Sequence, residues 1–347
     1  MKILVTGGAG FIGSNFVKHI LKTYPDYQVL VLDALTYAGN LENFPDDIWK
    51  NPRFFFWHGM VQDRPAVERL VAQVDAVVHF AAETHVDNSI YQDSTDDFVD
   101  TDVKGTQILL DTVRHYNIDR FVHISTSEVY GTAESTKMDE DHPLNPRSPY
   151  AAAKCGADRY VYSYVCTFGT PAVIIRPFNN YGPNQHIEKF IPRVITSAFQ
   201  DKSFPLHGSG KSSRDWIFVE DTARGVAAAL QAPIDKIRGQ VINLATAVDT
   251  DITTVADKVF KIMGKSEANL VERVVDRPGQ VDRHTGTNDK ALELLGWSPQ
   301  VGLDEGLERT VAWYQANEGW WSRLHLKEMA QERILPGAAE LRARRGA

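Results

Sequence analysis

The chain has few cysteines and no metal-binding pattern. Its 347 residues include only Cys155 and Cys166, too few for a disulfide framework or a structural zinc site. No motif frames either cysteine, so we expect buried or half-buried free thiols. No His or Cys spacing typical of a metal site occurs, and no bound metal is predicted.

Long apolar runs and an excess of positive charge are also missing. No segment reaches the length of a membrane span or a signal peptide core, and the chain starts directly on the strand-like stretch MKILVTG. The net charge of -8 opposes nonspecific attraction to phosphate polymers and anionic membranes. We therefore expect a cytoplasmic protein that binds neither nucleic acid nor membrane.

What the chain does contain is an alternation of short β-branched runs with helical patterns. Strands are predicted over Lys2–Thr6, Val29–Asp33, Phe54–His58, Ala76–Phe80, Arg120–Ser125 and Ala172–Arg176. Helices are predicted over Phe11–Lys22, Pro65–Val74, Thr101–Tyr116 and Tyr150–Phe168. Such alternation predicts an α/β fold with a Rossmann-like, doubly wound parallel sheet.

The rhythm changes after about Tyr181, where Pro- and Gly-rich stretches interrupt shorter elements. We expect a Rossmann domain over residues 1–180 and a smaller C-terminal α/β lobe over residues 181–335, with exchange of strands or helices between the two left open. The bulky aromatic residues Trp313, Tyr314, Trp320 and Trp321 are expected to pack this lobe against the sheet. Residues 336–347 are expected to be a loose tail.

A glycine-rich turn follows the first predicted strand. Gly7, Gly10 and Gly13 form G-x-x-G-x-x-G at the start of the first helix, which allows backbone to approach a pyrophosphate at the positive end of that helix. Asp33 ends the second strand, twenty residues after Gly13. A carboxylate at this place binds ribose hydroxyls and repels a 2′-phosphate. The pattern predicts NAD rather than NADP.

Two further segments carry candidate catalytic groups. Tyr150 and Lys154 lie one helical turn apart on one face, and a nearby ammonium and a positive nicotinamide ring are expected to lower the pKa of the tyrosine, giving a base for a sugar hydroxyl. The segment Ser125–Gly131 follows a buried strand at the edge where α/β sites gather. There Thr126 can donate to the same hydroxyl oxygen, and Glu128 can act as a second base.

These segments together resemble the extended short-chain dehydrogenase/reductase superfamily and, within it, the dTDP-glucose 4,6-dehydratases. The matching stretches are TGGAGFIGSNF (6–16), DALTYAGNL (33–41), HFAAETHVDNSI (79–90), HISTSEVYG (123–131), SPYAAAK (148–154), NNYGPNQHIEKFIP (179–192) and RDWIFVEDTARG (214–225). The resemblance implies that Tyr150 is the base at C4 with Thr126 as its partner, that Glu128 is the base at C5, and that Lys154 holds the nicotinamide ribose.

The resemblance also supplies the remaining expected binding residues. For NAD these are Gly7, Gly10, Phe11, Ile12, Gly13, Asp33, Thr36, Gly39, Val61, Phe80, Ala81, Ala82, Tyr150 and Lys154. For the nucleotide-diphosphate sugar they are His85, Thr126, Asn179, Glu188, Lys189, Arg193, Pro205, His207, Arg214, Asn243 and Arg277. The other histidines, including His186 and His284, are interpreted as ordinary surface or pocket polarity.

Three positions depart from the family pattern. Ser127 gives T-S-E where the dTDP-glucose enzymes have T-D-E, and a serine hydroxyl cannot replace the aspartic acid that protonates the departing C6 hydroxyl. Asp102 stands where T-N-V-x-G-T is usual. Val61 lies in Gly59-Met60-Val61, where relatives often have Gly-Asp-Ile, so an adenine contact there is missing or made by backbone.

The T-S-E sequence leaves more than one function open. We expect an NAD-dependent nucleotide-sugar 4,6-dehydratase that gives an NDP-4-keto-6-deoxyhexose. GDP-mannose 4,6-dehydratases carry T-S-E, but so do UDP-glucuronate decarboxylases, so a decarboxylase or a C4 epimerase is the alternative. A non-catalytic NAD-sensing regulator is a distant one. Relatives often pair through two long helices, here Thr101–Tyr116 and Tyr150–Phe168, so a homodimer is expected.

Overall fold

The computed structural model describes residues 1–266, 270–275 and 278–334. The strands are β1 Lys2–Thr6, β2 Gln28–Asp33, β3 Phe54–His58, β4 Ala76–His79, β5 Arg120–Ile124, β6 Ala172–Pro177, β7 Asn179–Tyr181, β8 Phe204–His207, β9 Ser213–Phe218, β10 Val241–Leu244, β11 Asp249–Asp251, β12 Val271–Val274 and β13 Arg283–His284. The helices are α1 Phe11–Thr23, α2 Asp46–Trp49, α3 Arg64–Val71, α4 Val86–Tyr91, α5 Asp96–Phe98, α6 Gly105–His115, α7 Pro149–Phe168, α8 Phe190–Phe199, α9 Val219–Gln231, α10 Ile234–Ile237, α11 Ile252–Ile262, α12 Asp289–Leu295, α13 Leu303–Ala316 and α14 Glu318–Ile334.

A seven-stranded parallel sheet forms the centre of the molecule. Its order is β10-β6-β5-β4-β1-β2-β3, so the chain runs outward in both directions from the boundary between β1 and β4. Such a reversal opens a crevice at the carboxyl ends of the strands, where ligands of doubly wound sheets bind. The predicted Rossmann-like fold is confirmed.

Helices cover both faces of this sheet with apolar side chains. On one face α1 and α9 pack together, and their buried residues form one core cluster with β1, β2 and β6. On the other face α3 and α6 form a second cluster, which also includes buried Val161 of α7. The predicted helix Thr101–Tyr116 is shorter than expected, because a π-helical turn at Val99–Lys104 precedes α6.

The C-terminal residues build a smaller lobe and also return to the large sheet. Strand β9 pairs with β7, β11 and β13, while β8 pairs with β12. Tyr314, Trp320 and Trp321 lie in the core of this lobe, and the Trp320 indole N–H donates to Asn43 Oδ1 at 3.1 Å, which ties the lobe to the loop after β2. Strand β10 and helix α9 belong to the large sheet and its covering layer.

Only one of the two cysteines lies where the sequence predicted. Cys155 is half-buried, but Cys166 is exposed on the last turn of α7, so the expectation of a buried thiol was wrong there. Within residues 1–266, 270–275 and 278–334, no helix is long and apolar enough to cross a membrane.

Candidate active site

The turn between β1 and α1 is built so that only glycine fits at two positions. Gly7 has a φ of +67°, and a Cβ there would lie 2.5 Å from the Ala81 backbone nitrogen. A Cβ on Gly13 would lie 2.9 Å from Gly8 Cα. Because backbone lines the crevice at the positive end of α1, a pyrophosphate can approach it closely. The turn therefore fits NAD.

Asp33 lies buried at the end of β2, beside this turn. Its Oδ2 accepts from the Ala9 N–H and its Oδ1 from the Leu35 N–H, both at 2.8 Å. Burial raises the pKa of Asp33, and the two N–H donors oppose that shift. Each carboxylate oxygen keeps a further acceptor position, so the group can also take hydrogen bonds from a ribose.

The other predicted cofactor residues lie around the same crevice, with one exception. Phe11 and Ile12 form the first turn of α1, Thr36 and Gly39 lie in the loop after β2, and Phe80, Ala81 and Ala82 follow β4 across the reversal point. The Val61 side chain is buried in the core beneath α6, so at this position only backbone can reach an adenine. The described residues contain no cluster that could hold a metal ion.

Tyr150 and Lys154 lie buried on the first turns of α7. Ser148 caps this helix by accepting from the Ala151 N–H at 3.2 Å. The Lys154 ammonium donates to the Ile124 carbonyl oxygen at 2.7 Å, at the end of β5. This bond fixes the lysine beneath the carboxyl edge of the sheet.

The protein's own groups raise the pKa of Tyr150. Burial is the main cause, the Asp102 carboxyl adds to it, and a hydrogen bond with Thr126 opposes it. Burial also lowers the pKa of Lys154, against the attraction of Asp102 and Asp158. The lowering predicted from the sequence depends on the bound nicotinamide ring, so it stays a prediction.

Asp102 is a buried carboxyl group beside this pair. It is 1% exposed, and the π-helical turn that carries it packs against α7. Its Oδ1 accepts from the Glu83 N–H at 2.9 Å, whereas its Oδ2 is buried without a hydrogen-bond partner. Burial raises the pKa of Asp102 to about 7, and Lys154 opposes that shift.

A 3-10 turn, Ser127–Tyr130, follows β5, and Thr126 is its N-cap residue. Thr126 Oγ1 accepts from the Glu128 N–H at 3.2 Å and also contacts Tyr150. Ser127 is buried, whereas the Glu128 side chain is 23% exposed. Thr126, the half-buried partner of Tyr150, and the partly exposed Glu128 carboxylate thus lie two residues apart.

His284 contacts Glu128, which the sequence interpretation missed. It was assigned to ordinary polarity, but its side chain is fully buried at the end of β13. Its Nε2 lies 2.6 Å from the Gly131 carbonyl oxygen and its Nδ1 lies 3.6 Å from Glu128 Oε1. Gly131 has a φ of +72°, and a side chain there would collide with the Asn145 carbonyl group, so glycine is required for this turn.

A second polar cluster is centred on Glu188, which follows β7. Its carboxylate lies 3.1 Å from His85 Nε2, 3.6 Å from His186 Nδ1 and 3.2 Å from Lys189 Nζ. The Tyr37 hydroxyl donates to Glu188 Oε1 at 3.3 Å. Burial would raise the pKa of Glu188, but Lys189, His85 and His186 outweigh it and hold that pKa below its usual value.

This cluster joins the cofactor loop to the substrate lobe. His85 Nδ1 accepts from the Asn88 N–H at 3.1 Å, so His85 Nε2 carries the hydrogen that faces Glu188. Lys189 Nζ also donates to the Thr84 carbonyl oxygen at 2.9 Å. Tyr37 was not among the predicted site residues, although its YAGN segment was part of the resemblance. His186 was interpreted as ordinary polarity, and its contact with Glu188 was missed.

The remaining predicted substrate residues differ in how far they are buried. The buried Asn179 Oδ1 has no hydrogen-bond partner, and Arg193 is exposed on α8. Arg214 is buried in β9 and Pro205 lies half-buried in β8. Arg277 and the side chain of His207 lie outside the described residues.

Asn243 does not line a pocket. It is fully buried in β10, where its Oδ1 accepts from the Tyr130 hydroxyl at 2.8 Å and its Nδ2 donates to the Met138 carbonyl oxygen at 3.3 Å. Its backbone N–H donates to Glu140 at 2.8 Å. The predicted substrate contact of Asn243 is therefore wrong, because its polar atoms hold the sheet edge to a neighbouring loop.

Comparison with known proteins agrees with this geometry. The family model described as GDP-mannose 4,6 dehydratase matches residues 4–310. The low-salt glycan biosynthesis protein Agl12 of Haloferax volcanii is 43% identical over 92% of this chain and 100% of its own length. A dTDP-glucose 4,6-dehydratase of Actinoplanes is 41% identical over 93% of this chain and 100% of its own.

A solved structure of a 4,6-dehydratase also matches this chain. DesIV, a dTDP-glucose 4,6-dehydratase from Streptomyces venezuelae solved with NAD bound, is 41% identical and superposes with a TM-score of 0.88 over 93% of this chain and 100% of its own. The predicted cofactor and reaction class are confirmed. The chain therefore belongs to the GDP-mannose 4,6-dehydratase family and is an NAD-dependent nucleotide-sugar 4,6-dehydratase.

Proposed function

We propose that the substrate is dTDP-glucose and the product dTDP-4-keto-6-deoxyglucose. One observation carries this proposal: Tyr150, buried and hydrogen-bonded to Thr126, and a separate, partly exposed Glu128 carboxylate lie together at the carboxyl edge of the sheet. The first group suits oxidation of an alcohol and the second suits removal of a neighbouring carbon-bound proton. The relatives named as dTDP-glucose enzymes support the choice of nucleotide.

The first step is assigned to Tyr150, Thr126 and Lys154. Tyr150 accepts the proton of the C4 hydroxyl while Thr126 hydrogen-bonds to the same oxygen. Bound NAD supplies the hydride acceptor at C4 and later the hydride donor at C6. Lys154, fixed by the Ile124 carbonyl oxygen, is placed to hold the cofactor ribose and to stabilise a tyrosinate.

The second step is assigned to Glu128. The ketone at C4 acidifies the C5 proton, which Glu128 takes, and the resulting enolate expels the C6 oxygen. That oxygen leaves as water after receiving the proton from Glu128, since the Ser127 hydroxyl is too weak an acid to supply it. When C6 is reduced, C5 takes up a proton again from Glu128, whose side chain is 23% exposed and can regain a proton from solvent.

Charges around the crevice suit the nucleotide diphosphate. Lys189 and Arg193 lie at the N-terminal end of α8, where the helix dipole also favours an anion. Arg193 is exposed and can form the two parallel hydrogen bonds that a phosphate accepts. Asn179, with its unpartnered Oδ1, is assigned to a sugar hydroxyl.

A panel of nucleotide sugars tests the substrate. Purified protein with NAD is incubated separately with dTDP-glucose, GDP-mannose, UDP-N-acetylglucosamine and UDP-glucuronate, and product masses are followed. We expect loss of one water from dTDP-glucose at the highest kcat/KM. Loss of carbon dioxide from UDP-glucuronate, or an unchanged mass with inverted C4, would contradict the proposal in favour of a decarboxylase or an epimerase.

Replacement of Asp102 by Asn should shift the pH dependence of the reaction. An ionised Asp102 raises the pKa of Tyr150, and its own pKa is raised to about 7, so this repulsion is present only above about pH 7. Removing the charge makes the tyrosinate easier to form. We expect the acid limb of kcat/KM for Asp102→Asn to move about one pH unit lower.

The matched control is Asp100→Asn, on the same π-helical turn. Asp100 is exposed and lies 3.5 Å from Lys104 Nζ, and it is not among the groups that shift the pKa of Tyr150. The pH profile of this variant should equal that of the wild type. Equal profiles for wild type and Asp102→Asn would show that Asp102 has no effect on Tyr150.

We also propose a homodimer formed through α6 and α7. Exposed aromatic side chains accompany these helices at Tyr116, Tyr160, Tyr162 and Phe168. Light scattering should give twice the chain mass of 38.9 kDa, and Tyr160→Glu should lower that mass towards one chain. A mass of one chain for the wild type would contradict the dimer.

The cytoplasmic location of the protein stays a prediction.

A further inference from the structure

The departure at Ser127 leaves Glu128 to deliver the proton to the oxygen that leaves C6. In the T-D-E pattern an aspartic acid protonates the oxygen that leaves C6, whereas this chain has a buried serine there. Glu128 must then hold the proton taken from C5 until the C6–O bond breaks. A neighbouring group that can share the proton would keep it beside the departing oxygen until that bond breaks.

His284 is placed to hold this proton with Glu128. The Gly131 carbonyl oxygen can only accept, so the 2.6 Å contact fixes the hydrogen on His284 Nε2. The opposite nitrogen, Nδ1, is buried without a hydrogen-bond partner and faces Glu128 Oε1 at 3.6 Å. In neutral imidazole, Nδ1 therefore carries a lone pair that is directed at a carboxylate oxygen.

The contact changes character when Glu128 gains a proton. With a carboxylate, two acceptor atoms face each other and no hydrogen joins them, which agrees with a separation longer than a hydrogen bond. With one proton added, a hydrogen bond forms between Oε1 and Nδ1. The contact therefore stabilises the protonated pair over the unprotonated one.

We propose that His284 is a positioning residue for the dehydration step and that its Nδ1 shares with Glu128 the proton removed from C5. This inference rests on the proposed function. The C5–H bond breaks, its proton goes to the Glu128–His284 pair, and its electron pair forms the enolate. The C6–O bond then breaks with its electron pair, and that oxygen takes the shared proton and leaves as water.

The surroundings of His284 keep the imidazole neutral before the proton arrives. Burial is the main cause of its lowered pKa, and Arg214 on the paired strand β9 and His142 act in the same direction. Glu128 and the Gly131 carbonyl oxygen oppose them. A neutral acceptor at Nδ1 is the state that the proposal requires.

Two substitutions separate this role from a structural one. His284→Gln places an amide where Nε2 lies, so it can keep the bond to Gly131, but it has no atom at the position of Nδ1. His284→Asn places an amide at the position of Nδ1 and cannot reach Gly131. A purely structural histidine predicts more activity in the Gln variant, whereas proton sharing with Glu128 predicts more in the Asn variant.

The experiment is rapid-quench mass spectrometry of dTDP-glucose turnover by wild type and both variants. For His284→Gln we expect a kcat about 10- to 100-fold lower, the loss typical of a hydrogen bond to a charged group, with KM within about twofold. The sugar that has lost two hydrogens should accumulate ahead of the sugar that has lost water. His284→Asn should turn over faster than His284→Gln.

Three results would overturn the role of His284. They are an unchanged kcat in His284→Gln, equal slowing of oxidation and water loss, and a Gln variant faster than the Asn variant. If His284→Asn does not fold, the first two results decide. Wild type run alongside separates the claims, because failure of wild type to dehydrate dTDP-glucose contradicts the proposed function instead.

Discussion

Tyr150→Phe is expected to lower kcat for the conversion of dTDP-glucose by about 10³-fold, since general base catalysis contributes about 10²- to 10⁴-fold. The variant loses only the hydroxyl that Thr126 contacts, while the aromatic ring keeps its place 6.4 Å from the ring of Phe98. Folding should be preserved. Neither the oxidised nor the dehydrated sugar should build up, because the block lies before both.

A suitable control is Tyr24→Phe, at the C-terminal end of α1. This residue follows the opposite end of that helix from the glycine turn, so its hydroxyl is far from the crevice. Its kcat should match that of the wild type. A Tyr150→Phe enzyme that dehydrates the sugar at an undiminished rate would refute the assignment of the base.

Glu128→Gln is expected to separate the two halves of the reaction. An amide cannot take the C5 proton, so water loss should fall by about 10³-fold, whereas oxidation at C4 depends on Tyr150 and should continue. Rapid quench should therefore find the sugar that has lost two hydrogens as the main product bound to the enzyme. This pattern differs from that of Tyr150→Phe, in which both species are absent.

Glu134→Gln is the matched control for Glu128→Gln. Glu134 is exposed six residues further along, and its Oε1 accepts from Asn145 at 3.2 Å. This substitution should leave both steps at wild-type rates. Water loss that continues normally in Glu128→Gln would mean that another group removes the C5 proton.

The fold could be predicted because the hydrophobic periodicity of the first half is strong. The six predicted strands of the large sheet are all present, and their ends differ by at most one residue. Strand β10 was missed, because it is only four residues long and pairs with β6 across more than sixty residues of chain. The π-helical turn at Val99–Lys104 was also missed, since a helical pattern does not distinguish an inserted residue.

The candidate site was predictable only where residues lie close together in sequence. Tyr150 and Lys154 share a helix turn, and Thr126 and Glu128 share a strand end, so short motifs carry them. His284 reaches Glu128 from a two-residue strand more than 150 positions later, and no local pattern marks such a contact. For Asn243 the family resemblance predicted a pocket residue, but the fold buries its side chain against Tyr130.

Transfer of deuterium from C4 to C6 of the same sugar tests the combined mechanism most directly. A mixture of dTDP-glucose carrying deuterium at C4 and unlabelled dTDP-glucose is converted by the wild-type enzyme, and the product is examined by mass spectrometry and NMR. We predict product that has lost one water and carries the deuterium at C6, without exchange between labelled and unlabelled molecules. Deuterium that remains at C4, or that is lost to solvent, would contradict oxidation at C4 followed by reduction at C6 within one site.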